Sequence, residues 1–414
     1  MPRVLRIAYL TGRYPAMTPT FVLREVAELR ALGVEVETFS IWRTPPSDLL
    51  APDDRAEAER TTSLLPPSPI AGARSLLAAI LRSPAGVISL VHGAFRLARP
   101  GARGKFLALS WVLEALLLWR ELRRRGIRHV HVHLMGTAPA VALLATDLAN
   151  RIEGQPRHTW SLTIHGPDEF NDVYNDALAE KVAAAEFAVC ISDFGRSQVM
   201  AFVDRHCWPK VHVVHCGLDL ERTRRTAPPA PAEGRPVRIV TVCKLSPRKG
   251  VAILLQATRD LVDAGVDLEL TVVGDGPQRR ELEQLCAELG IAERVSFAGA
   301  VGQDRIGSFY EAADLFAMAS FAEGIPVVLM EAMAYELPVV APATMGIPEL
   351  VESDRTGLLF RPGRGDELSD AVGRLARDAE LRQRLGAAGR EKVAAEFDIR
   401  NSAARLRELF EAAA

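Results

Sequence analysis

Glu323 and Glu331 lie eight positions apart in E-G-I-P-V-V-L-M-E, and two carboxylates at this spacing can share the hydroxyls of one bound molecule. Gly324, Ile325 and Pro326 follow the first glutamate. Proline suits the first turn of a helix, where its missing N–H costs nothing. The spacing therefore predicts Glu323 on a loop and Glu331 about two turns inside a helix that ends before Pro338. Open N–H groups at the helix start would suit a phosphate or sugar oxygens. Glutamates around a helix start are also commonly solvated or stabilised by the helix dipole, so spacing alone leaves both readings standing.

A second cluster is cationic. V-C-K-L-S-P-R-K-G, 242–250, sits between a strand-like and a helix-like segment and carries Lys244, Arg248 and Lys249. Cations at the carboxyl end of a strand can neutralise a diphosphate leaving group; a solvated basic turn is the alternative. G-D-G-P, beginning at Gly274, marks a strand-end turn one glycine short of a dinucleotide fingerprint. His165 ends a strand in T-I-H-G-P-D-E-F, a place that exposes a side chain to a cleft, with Asp168 close by. His129, His131 and His133 alternate along one strand and share a face. No acidic or cysteine partner for them is evident, so no metal site is expected. Asp219-Leu-Glu221 is the nearest approach to an Asp-x-Asp pair.

These residues need a scaffold, and the hydrophobic pattern describes one. Strands 6–11, 34–39, 129–134, 159–165, 188–192 and 211–215 alternate with helices beginning at Thr20, Pro139 and Asp193. T-A-P-P-A-P-A-E-G-R-P, 226–236, reads as a stiff linker. The alternation then restarts with strands 238–243, 269–273, 295–298, 315–318, 339–341 and 357–360, and closes on helices over 364–395 and 401–413. Such alternation predicts two doubly wound α/β domains. Ligands of such sheets bind at the carboxyl ends of the strands, which places the site in a cleft between the domains. Gly12, at the end of the first strand, begins a loop expected to approach that cleft.

The stretch 313–341, A-D-L-F-A-M-A-S-F-A-E-G-I-P-V-V-L-M-E-A-M-A-Y-E-L-P-V-V-A, closely resembles the donor-site signature of the retaining glycosyltransferases of family 4, "aDvfvlPS..EG.P...lEAmA.G.PVva". The resemblance implies the GT-B fold: two Rossmann-like domains facing across a cleft, with a final helix crossing back. On that pattern, residues 1–225 form an acceptor-binding domain, 226–236 the linker, 237–397 a nucleotide-sugar-binding domain, and 398–414 the returning helix. Glu323 would contact the donor sugar, with Gly324 and Ile325 beside it, and Glu331 the nucleotide ribose. Lys244 and Lys249 would face the diphosphate, although Cys243 and Lys244 depart from the family's "GRL...KG". Gly274 and Val301 would border the base pocket. His165 matches a family histidine near the reacting carbon, where retention needs no dedicated base. Residues 7–38 resemble the exopolysaccharide branch, "FP..SETFI..E...L...G".

The activity so implied is metal-independent, retaining transfer from a UDP- or GDP-sugar to a saccharide acceptor, free or polyprenyl-diphosphate-linked. Uridine-linked glucose or galactose is the first expectation, guanosine-linked mannose the second. A transferase using a soluble acceptor and a catalytically silent sugar-nucleotide-binding subunit are the rivals. The net charge of −2 argues against a nucleic-acid binder. Cys190, Cys207, Cys216, Cys243 and Cys286 include no C-x-x-C pair, which suggests free thiols in a reducing cytosol. Residues 71–128 hold eleven lysines and arginines against Glu114 and Glu121, interleaved with apolar runs. Basic amphipathic helices of this kind lie on anionic membrane surfaces, so peripheral attachment to the inner face of the membrane is expected. The alternative is an insertion that packs its apolar faces on the sheet.

Overall fold

The computed structural model describes residues 5–16, 20–174, 176–226 and 234–413. It divides into two compact units, one from residues 1–215 with the chain end from Arg400, the other from Cys216 to Ile399. Most of the linker expected over 226–236 lies outside the described residues. The division comes earlier than the expected boundary at 225, because backbone bonds hold the preceding segment in the second unit. Leu218 N donates to Phe397 O at 2.8 Å and Ile399 N to Leu218 O at 3.0 Å. Arg225 reaches the carbonyls of Tyr335 and Glu311 at 3.0 and 3.2 Å.

The first unit holds β1 (Arg6–Arg13), β2 (Glu35–Trp42), β3 (Thr62–Leu65), β4 (His129–His133), β5 (Thr159–Ile164), β6 (Ala188–Cys190) and β7 (Val211–Val213). They form a parallel seven-stranded sheet in the order β3-β2-β1-β4-β5-β6-β7. Period-two alternation sorts the strand residues onto two faces. Ala8, Leu10, Val130 and Val132 join one core, against helices such as Thr137–Glu153. Ile7 and Tyr9 join the other, with Val22 and Val26 of helix Thr20–Ala31. The last helix, Ile399–Ala413, adds Ala403, Leu406 and Phe410 to that second core. The section between Trp42 and His129 is regular, with β3 pairing alongside β2 and helices filling most of the remainder.

The second unit holds β8 (Val237–Val242), β9 (Leu268–Val273), β10 (Val295–Gly299), β11 (Leu315–Ala317), β12 (Val339–Pro342) and β13 (Leu358–Phe360). This parallel sheet has six strands in the order β10-β9-β8-β11-β12-β13. In each unit the winding reverses once, between β1 and β4 and between β8 and β11. A crevice opens at such a reversal, outside the carboxyl ends of the two strands, because their connections leave in opposite directions. The five cysteines are free thiols, all buried except the half-buried Cys243.

Candidate active site

At the reversal of the second sheet, the loops after β8 and β11 come together. Lys249 Nζ pairs with Glu323 Oε1, both side chains being largely covered. Chain geometry enforces the meeting: β11 pairs with β8, and Phe321 N donates to Arg248 O at 2.8 Å. Gly250 adopts a left-handed conformation, and a Cβ there would overlap the Ala319 carbonyl. Gly346 lies as tightly against the Gly324 carbonyl, so the 319–325 loop is held on both sides. Ile325 is buried beneath it.

Glu331 is one turn, not two, inside helix Val327–Ala334, because the loop runs on through an extended Pro326 (φ −75°, ψ 121°). Its carboxylate is 2% exposed and accepts the Tyr310 hydroxyl at 2.9 Å. Tyr310 stacks on Tyr335 with centroids 5.4 Å apart. Sequence reasoning passed over both tyrosines. Their signal is slight, since Tyr310 sits on helix Gln303–Ala312 and Tyr335 just past the end of helix Val327–Ala334, where a buried aromatic needs no further explanation. Lys244 is exposed, whereas its neighbour Leu245 is fully buried. Gly274 N donates to Gly299 O at 2.8 Å and Leu245 N to Asp275 O at 3.0 Å, which knits the ends of β8, β9 and β10 into one rim. Val301, just past β10, is half-buried at this rim. Burial pushes the Cys243 thiol up to about 11, with Glu323 adding to the rise and Lys249 opposing it.

The first unit carries its own constellation at its reversal. His165 follows β5, is buried, and stacks on Phe21 with centroids 4.2 Å apart. Its Nε2 lies 2.8 Å from His133 Nδ1, and His133 Nε2 lies 3.0 Å from Glu25 Oε1. Tyr9 also donates to that oxygen, at 2.6 Å. Burial first, and His133 second, hold the His165 imidazole well below its ordinary pKa, so it is neutral. A carboxylate only accepts, so His133 donates from Nε2. For a singly protonated His133 the acceptor is then Nδ1, and His165 donates to it from Nε2.

Asp168 is exposed, and the neighbouring Glu169 shapes the turn: its carboxylate accepts from the backbone N–H groups of His165, Gly166 and Met135. Gly12 is a strand residue, because β1 runs to Arg13 in register with Trp42. It is exposed, with nothing within 4 Å of where a Cβ would sit, so neither packing nor a turn requires glycine there. Part of the loop from it to Thr20 lies outside the described residues.

The histidine ladder does share one face, roofed by Phe410, whose ring centroid is 5.5 Å from that of His129 and 5.1 Å from that of His131. Contrary to the sequence reading, it has an acidic partner. Glu25, His131 and His133 offer ligand atoms within 4.8 Å of one another. However, His131 already meets Ser161 and Thr163 hydroxyls at 2.7 and 3.0 Å, and both His133 nitrogens are engaged as described. An ion would have to displace those bonds.

The family described as "Glycosyl transferases group 1" matches residues 224–392. The amylovoran biosynthesis glycosyltransferase AmsK of Erwinia amylovora is 27% identical over 424 residues, 98% of this chain and 99% of AmsK. The 2-deoxystreptamine glucosyltransferase of Streptomyces kanamyceticus is 32% identical over 319 residues, 71% of this chain and 80% of that protein. Among solved structures, Anabaena HepE in complex with UDP aligns with a TM-score of 0.72 at 16% identity, covering 99% of this chain and 100% of HepE.

Proposed function

We propose a reaction for this chain from one premise: it belongs to the group 1 glycosyl transferases and has their GT-B fold. The reaction is retaining transfer of a sugar from a nucleotide-diphosphate donor to a lipid-linked or growing saccharide, in bacterial surface-polysaccharide synthesis at the inner face of the membrane. The observation that carries it is the Lys249–Glu323 pair at the reversal of the second sheet, with buried Glu331 one turn into the adjoining helix. Lys249, aided by exposed Lys244, would balance the charge that builds on the departing diphosphate. Glu323 would hold the donor sugar and Glu331 the ribose. Neutral His165, fixed through His133 and Glu25, would act by position and electrostatics near the reacting carbon, not as a base. Nothing in this scheme requires a metal ion.

Likeness to AmsK over nearly its full length supports the polysaccharide reading. Likeness to the 2-deoxystreptamine glucosyltransferase favours the second reading, a soluble acceptor. Thermal unfolding in EDTA with a panel of UDP- and GDP-sugars tests the donor side. One donor should stabilise the chain, and Glu323→Ala should hydrolyse it far more slowly than the parent. Equal hydrolysis by the two proteins would instead support a silent sugar-nucleotide-binding subunit.

A further inference from the structure

Helices Pro69–Arg82, Pro84–Leu97 and Ala102–Arg125 of the first unit pack on one another, the last two also on helix Thr137–Glu153, through small and apolar residues such as Ala79, Leu90 and Ala108. A surface helix ordinarily turns polar residues to water. These helices turn apolar ones. Ile70, Leu77 and Leu81 fall at i, i+7 and i+11, on the stripe opposite buried Ser75 and Ala79, and Ile70 and Leu81 are 69% and 74% exposed. Ile88 and Phe106 repeat the pattern on the next two helices at 71% and 74%. Arg74 shares the first stripe, and Arg103 and Lys105 flank Phe106; all three are exposed. From Thr61 to Leu113 the chain contains no aspartate or glutamate. Arg96 and Arg99, at and just past the end of the second helix, pair with Glu180, Asp172 and Asp176, whereas the apolar side chains beside Arg74, Arg103 and Lys105 match a bilayer that has an acyl interior and anionic headgroups.

We propose that this face docks on an anionic lipid bilayer, with Ile70, Leu77, Leu81 and Phe106 entering the acyl boundary and Arg74, Arg103 and Lys105 at the headgroups. It names the surface behind the membrane location proposed above. The helices lie on the bilayer and do not cross it. Among the described residues no single helix is long and apolar enough to span, and the first two, apolar enough together, meet at 120°. Each of those two would be roughly 20 Å long, against about 30 Å of hydrocarbon. The arginines at 123–125, prominent in the sequence, do not belong to this face. They lie about 25 Å down the helix from Phe106, where Arg124 and Arg125 are tied to Glu121 and Glu37.

The test is co-sedimentation of the full chain with vesicles of phosphatidylcholine containing phosphatidylglycerol, and with phosphatidylcholine alone. The parent should bind the anionic vesicles. Leu77→Asp with Leu81→Asp should weaken partitioning about a hundredfold, since withdrawing one leucine is worth roughly tenfold or more. Arg74→Gln with Arg103→Gln should weaken it about 25-fold at low salt, at roughly fivefold per charge. Both positions of each pair are exposed, so circular dichroism and thermal unfolding should match the parent. Absence of parent binding, or binding indifferent to the aspartates, overturns the proposal. So does an oligomeric parent that the aspartates render monomeric, which would make the face a contact between copies. Glu323→Ala should lose transfer yet bind vesicles unchanged, so failure of docking and failure of the transferase reading are read separately.

Discussion

Replacing Lys249 by alanine separates what its ion pair does for the fold from what it does for a donor. The side chains of Lys249 and Glu323 are 19% and 11% exposed, so the pair is neither fully buried nor free in water. Breaking a buried pair costs about 3–5 kcal/mol, whereas an exposed pair is worth about 0–1 kcal/mol. Lys249→Ala, which strands a mostly covered carboxylate, should therefore cost about 2 kcal/mol. Lys249→Ala with Glu323→Ala strands no charge and should cost only about 1 kcal/mol, a clear departure from additivity. Donor hydrolysis should behave differently. Loss of one fixed cation facing the departing diphosphate is expected to lower kcat/KM by roughly 10²–10³, and the second substitution should not restore it. Urea unfolding of the four proteins gives the stability cycle, and release of the nucleoside diphosphate gives the rates. Additive stabilities, or a Lys249→Ala enzyme as fast as the parent, would refute this account of the pair.

Glu25→Ala should destabilise the first unit by about 2–3 kcal/mol, because the buried Tyr9 hydroxyl and His133 N–H lose their acceptor; Glu25→Gln should recover much of this in thermal unfolding. Burial raises the Glu114 carboxyl to about 7, and its Oε2 has no hydrogen-bond partner among the described residues. The folded state therefore holds this proton more tightly than the unfolded chain does. The associated stability is full below the ordinary glutamate value and is lost as pH rises through 7. Urea unfolding should show up to about 3 kcal/mol of this loss between pH 4.5 and 8, and Glu114→Gln should abolish that share. Glu336 occupies a left-handed conformation (φ 59°) just past helix Val327–Ala334, where the family signature has glycine. Glu336→Gly should stabilise the second unit by about 1 kcal/mol, read as a rise in Tm.

Periodicity made both sheets legible, because parallel strands buried on both faces read as short apolar runs between amphipathic helices. It failed at Thr62–Leu65, whose four residues are too few to show a period and are recruited by pairing with β2. Glu323, Glu331 and Lys249 were visible because they sit at fixed offsets from glycines and prolines that shape their loops. Their mutual distances were not, since these depend on which strands become neighbours. The same limit hid Glu25 and Tyr310. Glu25 is 108 residues from His133, and Tyr310 is 21 from Glu331. Only the folded sheet brings each to its partner. Glu169 went unseen because one residue of offset in a tight turn decides which carboxylate faces the backbone.

On the proposed function, the reversal of the second sheet binds a nucleotide sugar through its carboxylates. Isothermal titration of the stabilising donor in EDTA, into the parent and into Glu331→Ala, tests it most directly. Two hydrogen bonds lost from ribose hydroxyls to a buried carboxylate should weaken binding about 30-fold or more. Undiminished affinity in Glu331→Ala would mean that this carboxylate does not hold the ribose.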